Sequence, residues 1–374
     1  MERAGVFQLG NCPSIETPAL LLSTRKGLPH FISPDLLPSL PLPDSSLLQV
    51  SPLHFLEGIS SKTISSIGGL HKMLGLNDYG LVAVARDSIQ CLPESSATNK
   101  LGASFETPCG RALIKPTEYM GMISSLRPNL WATLADEVPA WVSKKRNKIS
   151  VDRTVKWLDE CIALSPADGV AFGAIVGGSD VEERRRCARE IAKRNVSGQK
   201  TMLCIEWGSA NSLKFEGVEV PLRCVFAGYW IGGFGFGESM DERPALLSVV
   251  TDSLPKEGPR LISGLGLPEE VLQGVAAGID LFDSSYIYHL TIGGFALTFP
   301  LDTKTNTSDF KLTGMGTDHT KINLKATVYR HNTHHYLGFF QSIREAIKEG
   351  RFNQFQQMFV EKRRNHLAEV AVCA

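Results

Sequence analysis

Acidic side chains follow several short apolar runs in this sequence, at the places where predicted strands would end. Asp87 closes the run "GLVAVARDS", Asp136 and Glu137 close "LWATLADE", and Asp283 lies in "GIDLFDSS". A buried carboxylate in such a place can act as a nucleophile, transfer a proton or bind a polar ligand. It can also cap the next helix by accepting backbone N–H bonds, and both interpretations stay open for Asp87 and Asp136.

Two further runs have a composition that suits binding. Residues 232–238, "GGFGFGE", lack the spacing of a dinucleotide fingerprint and predict a close approach of the backbone to a ligand or another strand. The run "KKRNK" supplies Lys144, Lys145, Arg146 and Lys148 as candidate contacts to RNA phosphates. A solvated basic surface is the alternative for this second run.

Composition limits the class of protein. The chain has 374 residues, no net formal charge and eight cysteines without a closely spaced pair. A neutral balance gives no support for binding of nucleic acid or of a membrane surface, so any contact with RNA must be local, and we expect no binding of DNA. Scattered cysteines favour reduced thiols. No apolar run reaches the roughly 18 residues that a membrane-spanning helix needs. We therefore expect a soluble, cytoplasmic protein.

The elements that must position the acids are predicted by alternating strand and helix patterns. Apolar runs separated by helical spacing are typical of βα units around a parallel sheet, and we expect an α/β fold, a TIM (β/α)8 barrel with insertions. The predicted strands cover residues 19–24, 80–88, 130–137, 170–178, 224–234, 259–266 and 280–288. In such a barrel, the carboxyl ends of the strands converge on one site.

The remaining segments complete a single domain over residues 1–374. Residues 25–60 are rich in Pro, Ser and Leu and are predicted to be irregular. Residues 300–330 are predicted to form a polar loop, and 351–374 an amphipathic tail.

Five stretches, in order along the chain, resemble the tRNA-guanine transglycosylases. They are "LADEVP", "DRTVKWLDEC", "GGSDVEERRRCAREIAKR", "AGYWIGGFGFGES" and "GIDLFDSS". Two others, "PRLISGLGLPEEVLQGVAAGIDLF" and "HNTHHYLGFFQSIREAIKEG", are most similar to accessory members of that family. The resemblance covers residues 15–350 and is specific because the motifs occur as an ordered set.

The resemblance implies a role in replacing guanine by queuine at the wobble position of tRNAs with GUN anticodons (Asp, Asn, His, Tyr). Catalytic members attack the ribose of a flipped-out nucleotide with a carboxylate. Asp283 matches that nucleophile and Asp87 the second acid. Asp136, Gly233 and Glu238 match positions that hold the base.

Departures from the family pattern predict that this chain is not catalytic by itself. Val176 stands where the family has a base-binding Gln. In active members the nucleophile is followed by Cys and by a Pro-Thr-Arg run that binds the anticodon loop. In this chain Ser284 stands in place of the Cys, and Ile287, Tyr288 and His289 stand in place of the Pro-Thr-Arg run. We therefore expect a non-catalytic accessory subunit that forms a heterodimer with the catalytic subunit of queuine tRNA-ribosyltransferase. The family also implies association with the mitochondrial outer membrane.

The zinc site of the family is incomplete in this sequence. Family members bind zinc through three closely spaced cysteines and a later histidine, a closed site that needs all four ligands. His331 matches the histidine, but the block with the cysteines is missing, as in a shortened form with a truncated zinc subdomain. We expect no bound zinc, although His331, His334 and His335 together remain a possible metal set.

Two other functions stay open. The first is a self-sufficient tRNA-guanine transglycosylase with Asp283 as nucleophile. The second is a metabolic barrel enzyme that binds a small phosphorylated ligand through its glycine loops.

Overall fold

Eight parallel strands close into a barrel in the computed structural model, which describes residues 2–9, 12–166, 169–195, 206–207, 225–297, 299, 313–314 and 322–373. The strands are β1 (Ala19–Arg25), β2 (Leu47–Val50), β3 (Gly80–Ala83), β4 (Leu130–Ala132), β5 (Val170–Ile175), β6 (Val225–Ile231), β7 (Arg260–Ile262) and β8 (Leu281–Asp283). Each pairs with the next along the chain, and β8 pairs with β1 to close the ring. The predicted (β/α)8 barrel is confirmed.

Helices surround the barrel and follow its strands. They are α1 (Ser61–Ile67), α2 (Leu70–Leu74), α3 (Pro116–Leu126), α4 (Lys144–Ala163), α5 (Val181–Asn195), α6 (Arg243–Thr251), α7 (Pro268–Ala276), α8 (Ser285–Ile292), α9 (Ile322–Lys348) and α10 (Phe352–Cys373). Short 3-10 turns occupy Leu37–Ser39 and Pro52–Phe55. Among the described residues, no helix combines the length and the apolar character needed to cross a membrane.

Short antiparallel strand pairs lie outside the ring of eight parallel strands. Their strands are Gly5–Phe7 with Ile15–Thr17 and Glu206–Trp207, Leu28–Pro29 with β1, Ala103–Thr107 with Leu92–Pro93 and Gly110–Ile114, and Phe295–Ala296 with Thr313–Gly314. Most of the predicted loop 300–330 lies outside the described residues, and its last part is the start of α9.

The apolar runs form barrel strands because both of their faces are covered. All four residues of β3 are buried, as are Ala171 to Ile175 of β5, which fits continuous apolar runs rather than alternation. The expectation that residues 25–60 are irregular was wrong at β2. That strand is only four residues long and is flanked by proline-rich turns, so its local pattern gives little signal.

Helix α4 shows how the loops at the carboxyl end are anchored. Ser143 caps the helix by accepting a hydrogen bond from the Arg146 N–H, at 3.2 Å. Val151, Thr154 and Leu158 are buried at helical spacing and pack toward the barrel. The basic first turns of α4 therefore lie beside the end of β4, at the rim where function is expected.

Candidate functional site at the carboxyl end of the barrel

The candidate acids lie at the same end of the barrel. Asp283 is the last residue of β8, whereas Asp87 and Asp136 follow β3 and β4. Gly233 follows β6. All four residues are buried. The hydrogen-bond partners of each group decide which chemistry remains possible there.

Asp283 is held by three hydrogen bonds from its neighbours. Its Oδ2 accepts from the Gly264 N–H at 2.9 Å. Its Oδ1 accepts from the N–H and the hydroxyl of Ser285, at 3.1 and 2.6 Å. These hydrogen bonds occupy lone pairs on both oxygens and fix the orientation of the carboxylate. The hydroxyl oxygen of the following residue, Ser284, accepts a hydrogen bond from the Ser23 N–H at 2.7 Å.

The residues after Asp283 build an aromatic cluster. Ile287 is buried, and the Tyr288 ring stacks on Phe31 with centroids 5.8 Å apart and planes 9° from parallel. The ring of His30 lies 4.6 Å from that of Tyr288, and His289 is exposed. This stretch of α8 packs against its own chain where the family pattern has a cationic grip on RNA.

Asp136 is neutralised by two arginines of α4. Arg146 donates to both of its oxygens, at 2.6 and 2.8 Å, and Arg153 donates to Oδ2 at 3.0 Å. The Asp136 N–H also donates to the Thr154 hydroxyl at 3.0 Å. The carboxylate that matches the base-binding acid is therefore turned toward the helix.

The four candidate RNA contacts are not equivalent. Arg146 binds Asp136, whereas Lys144, Lys145 and Lys148 are exposed. In the described part of the chain, no carboxylate lies within ion-pair distance of these three ammonium groups. Only the lysines are free to meet an external phosphate.

The backbone of Gly233 is engaged on both sides. Its N–H donates to Glu137 Oε2 at 2.6 Å, and its carbonyl oxygen accepts from Arg184 at 3.0 Å. Glu137 also accepts from Arg86 at 2.8 Å. A base at this position would have to compete with these internal partners.

Arg184 is a buried charged residue near the candidate site that sequence reasoning missed. Its side chain is fully buried, lies 3.9 Å from the Phe234 ring centroid, and donates to the carbonyl oxygens of Gly178 and Gly232 at 2.7 and 3.2 Å. Burial lowers the pKa of Arg184 to about 10, so the guanidinium keeps its charge at neutral pH. The signal was present, because Arg184 falls at helical spacing with the buried residues of α5, which are Cys187, Ala188 and Ile191.

Val176 and Arg184 occupy the end of β5, where the family pattern has a polar side chain that binds the base. Val176 is fully buried where the family has Gln, and its N–H contacts the sulfur of Cys187 at 3.4 Å. Its side chain offers no hydrogen bond to a purine. The charged group beside Val176 is the guanidinium of Arg184, which donates hydrogen bonds to backbone carbonyl oxygens of the same chain.

Glu238 closes the glycine-rich loop on itself. Oε1 accepts from the Gly235 N–H at 2.8 Å and from Arg243 at 3.0 Å, and Oε2 accepts from the Phe236 N–H at 3.1 Å. Burial by itself would raise the pKa of Glu238, but these hydrogen bonds and the charge of Arg243 outweigh it and lower the pKa. The carboxylate therefore fixes the shape of the loop.

Asp87 belongs to a buried group with His54 and Cys91, whose ligand atoms lie within 4.8 Å of one another. The Lys26 N–H donates to His54 Nδ1 at 3.3 Å, which assigns the ring proton to Nε2, where it bonds Asp87 at 2.9 Å. Burial, followed by the charge of Asp87, raises the pKa of the Cys91 thiol to about 12. The geometry is that of a hydrogen-bonded His–Asp pair beside a thiol that keeps its proton.

The histidines of α9 do not reproduce the zinc site of the family. His331 Nε2 donates to the Leu297 carbonyl oxygen at 2.9 Å, and its ring centroid lies 4.3 Å from that of His335. Burial, then His331 and His334, lowers the pKa of His335. Within the described residues these three histidines form no group with ligand atoms close enough to share an ion. These three histidines do not fit the four-ligand zinc site of the family.

Comparisons with known proteins identify the family of the chain. A family model described as queuine tRNA-ribosyltransferase matches residues 1–330 and 320–365. The chain is 33% identical over 294 residues to the queuine tRNA-ribosyltransferase accessory subunit 2 of Xenopus tropicalis, a match that covers 76% of this chain and 63% of that protein. It is 28% identical over 417 residues to the protein of the same name from Homo sapiens, with 92% of each covered. The protein of that name from Danio rerio is 27% identical over 423 residues, with 94% of this chain and 93% of that protein covered.

Proposed function

The chain belongs to the queuine tRNA-ribosyltransferase family, and on that basis we propose that it is a non-catalytic accessory subunit. In this proposal a catalytic partner exchanges guanine for queuine at the wobble position of tRNAs with GUN anticodons, and this chain supports the reaction within a cytoplasmic heterodimer. The relatives named accessory subunit 2 support the assignment to the accessory branch. Association with the mitochondrial outer membrane rests on the family alone.

The pairing of Asp136 is the observation that carries the proposal. A guanine would have to displace two guanidinium groups from a carboxylate whose side chain is fully buried. Displacing the guanidinium groups leaves a buried ion without its opposite charge, which costs about 3–5 kcal/mol, and a neutral base supplies hydrogen bonds but no charge to offset that loss. The exchange is unfavourable, because the base offers less than the arginines already provide.

The surroundings of Asp283 support the same proposal. Its oxygens are bonded to Gly264 and Ser285, and the residues that follow it pack as an aromatic cluster around Tyr288. Alignment of the reacting atoms accounts for much of the rate in such reactions. A retained acid without groups that orient the ribose would contribute little.

Base exchange with purified subunits tests the proposal. We expect no incorporation of labelled guanine or queuine into an anticodon stem-loop by this chain alone, and incorporation when the catalytic partner is added. Asp283→Asn in this chain should leave the activity of the complex unchanged. The matched control changes the nucleophilic carboxylate of the catalytic partner to its amide, which should abolish that activity.

One observation favours a self-sufficient transglycosylase as the second candidate. Asp283 keeps its place at the carboxyl end of β8 and is buried there, as a working nucleophile would be. Exchange by the isolated chain that disappears in Asp283→Asn would establish this alternative and overturn the accessory role.

A further inference from the structure

Trp141 is exposed at the rim of the barrel although tryptophan is costly to leave in water. It lies in the loop between β4 and α4, and 77% of its surface is exposed. By contrast, Trp131, Trp157 and Trp230 are buried. An exposed aromatic face at the functional end of a barrel lies where a ligand can stack on it.

The loop holds the Trp141 ring in place. The Ala140 N–H donates to the Phe236 carbonyl oxygen at 3.0 Å, which ties this loop to the glycine-rich loop. Gly237 has φ +97°, and a Cβ built there would come within 2.5 Å of the indole ring. One part of the ring therefore packs on a glycine backbone and the rest faces solvent. A ring fixed in this way loses little conformational entropy when a ligand binds.

The charges around Trp141 favour an anionic partner. Lys144, Lys145 and Lys148 follow within two turns of α4 and are exposed, without a carboxylate partner in the described part of the chain. The buried carboxylates of Asp136 and Glu238 are each neutralised by arginine. The lysines therefore give this part of the rim a positive field that suits phosphates.

We propose that Trp141 is a stacking platform for an unpaired base of the RNA, with Lys144, Lys145 and Lys148 contacting the adjoining phosphates. The inference rests on the proposed function, which brings tRNA to the complex, and it names the residues that meet the RNA. Single-stranded nucleotides are bound by aromatic rings that stack on bases beside cations that follow the backbone. Tryptophan is common in protein interfaces but lysine is depleted from them, so the three lysines decide in favour of RNA.

Binding of an anticodon stem-loop by the heterodimer tests the platform. Trp141→Ala should weaken binding about tenfold, within the range measured for loss of one stacked base. Trp141→Phe keeps an aromatic face and should restore most of the affinity, whereas Trp141→Leu keeps only apolar area and should not. Leu164→Ala is the matched control, because Leu164 is 46% exposed at the opposite end of α4, and it should bind as the wild type does.

Two further readouts separate stacking from a structural effect. RNA should quench the tryptophan fluorescence of the isolated chain, and Trp141→Phe should remove that quenching. Changing Lys144, Lys145 and Lys148 to Gln should reduce the slope of log affinity against log salt by up to about 2, because each phosphate contact contributes about 0.7 for single strands.

The outcomes are distinguishable from one another. If the wild-type heterodimer binds the stem-loop and Trp141→Ala binds it equally well, the platform is wrong while the accessory role stands. If Trp141→Ala instead weakens association with the catalytic subunit in the absence of RNA, Trp141 is a subunit contact and the inference is overturned. If the wild-type heterodimer does not bind the stem-loop at all, both the inference and the proposed function fail.

Discussion

Individual carboxylates at the barrel rim are neutralised by arginines that are distant in sequence or on the next helix. Asp136 is bound by Arg146 and Arg153, and Glu137 is bound by Arg86. These ion pairs use the same oxygens that a ligand would need. Because the acids are buried, loss of an arginine partner would destabilise the fold. These ion pairs therefore stabilise the structure of the rim.

The first prediction concerns Asp136. Asp136→Asn should lower the free energy of unfolding by about 3 kcal/mol, because it leaves Arg146 and Arg153 without their charged acceptor in a largely buried place. Urea unfolding measures the change. The control is Glu182→Gln, which breaks an exposed pair with Arg185 and should cost less than about 1 kcal/mol. A change below about 1 kcal/mol for Asp136→Asn would mean that the acid is available to a ligand after all.

His30 gives a second prediction, for the pH dependence of stability. Burial lowers the pKa of His30 to about 4, below its ordinary value of 6.5. Between these pH values the unfolded chain binds a proton that the folded chain does not bind. Stability should therefore fall as the pH drops from 6.5 to 4, by up to about 3 kcal/mol from this group.

A matched variant isolates the contribution of His30. His30→Phe cannot titrate but keeps a ring against Tyr288, whose centroid lies 4.6 Å away. Urea unfolding across the same pH range should give a flatter profile for the variant than for the wild type. Parallel profiles would show that another group causes the loss of stability.

At the scale of elements, the loops after β6 and β7 pack directly on each other. Gly264 has φ +89° and donates its N–H to Asp283, and a Cβ there would overlap the Phe234 carbonyl oxygen and the Arg86 guanidinium. Gly235 likewise approaches the Gly264 carbonyl oxygen. The glycines are therefore required by contact between two loops, without any need for a bound ligand to explain them.

A pair of glycine variants tests this packing. Gly264→Ala should lower the free energy of unfolding by about 2 kcal/mol or more, because the conformation is left-handed and the space is filled. Gly121 is the control, since it is exposed within α3 and an added methyl group would meet no atom within 4 Å. Gly121→Ala should raise stability by about 0.5–1 kcal/mol. Thermal unfolding of both variants measures the difference, and equal effects would refute the packing argument.

For the molecule as a whole, aromatic packing joins the C-terminal helices to the barrel. The Phe339 ring lies 4.7 Å from that of Phe299 and 5.0 Å from that of Phe359 on α10, and Phe340 contacts Phe282 of β8 at 5.7 Å. Burial of rings of this size contributes several kcal/mol in total. These contacts give the C-terminal part a means of attachment that does not depend on a metal.

The prediction at this scale is the metal content. The purified chain should contain far less than one zinc per molecule by elemental analysis, because His331 is bonded to Leu297 and no cysteine occurs between residues 225 and 372. A chelator should leave the thermal unfolding midpoint unchanged. The catalytic partner, prepared in the same way, serves as the positive control. One zinc per chain would show that ligands outside the family pattern complete a site.

Much of the fold could be predicted from local patterns in the sequence. Continuous apolar runs predicted seven of the eight barrel strands, because that signal depends on residues that are neighbours in sequence. Several predicted ends were wrong: β3 and β4 stop at Ala83 and Ala132, before Asp87 and Asp136, and residues 285–288, predicted as strand, begin α8. The strand β2 was missed because four residues between proline-rich turns carry too little periodicity. The family motifs also identified the family, since they occur in order over most of the chain.

Sequence alone thus established the barrel, its family and the end at which the candidate residues meet. Only the tertiary structure shows that Asp136 is paired with arginines, that Arg184 is buried and bonded to glycine carbonyl oxygens, and that Trp141 is exposed to solvent. The physical reason is that strand and helix patterns arise from local spacing. Charge pairing and exposure depend on distances between segments that only the closed barrel brings together.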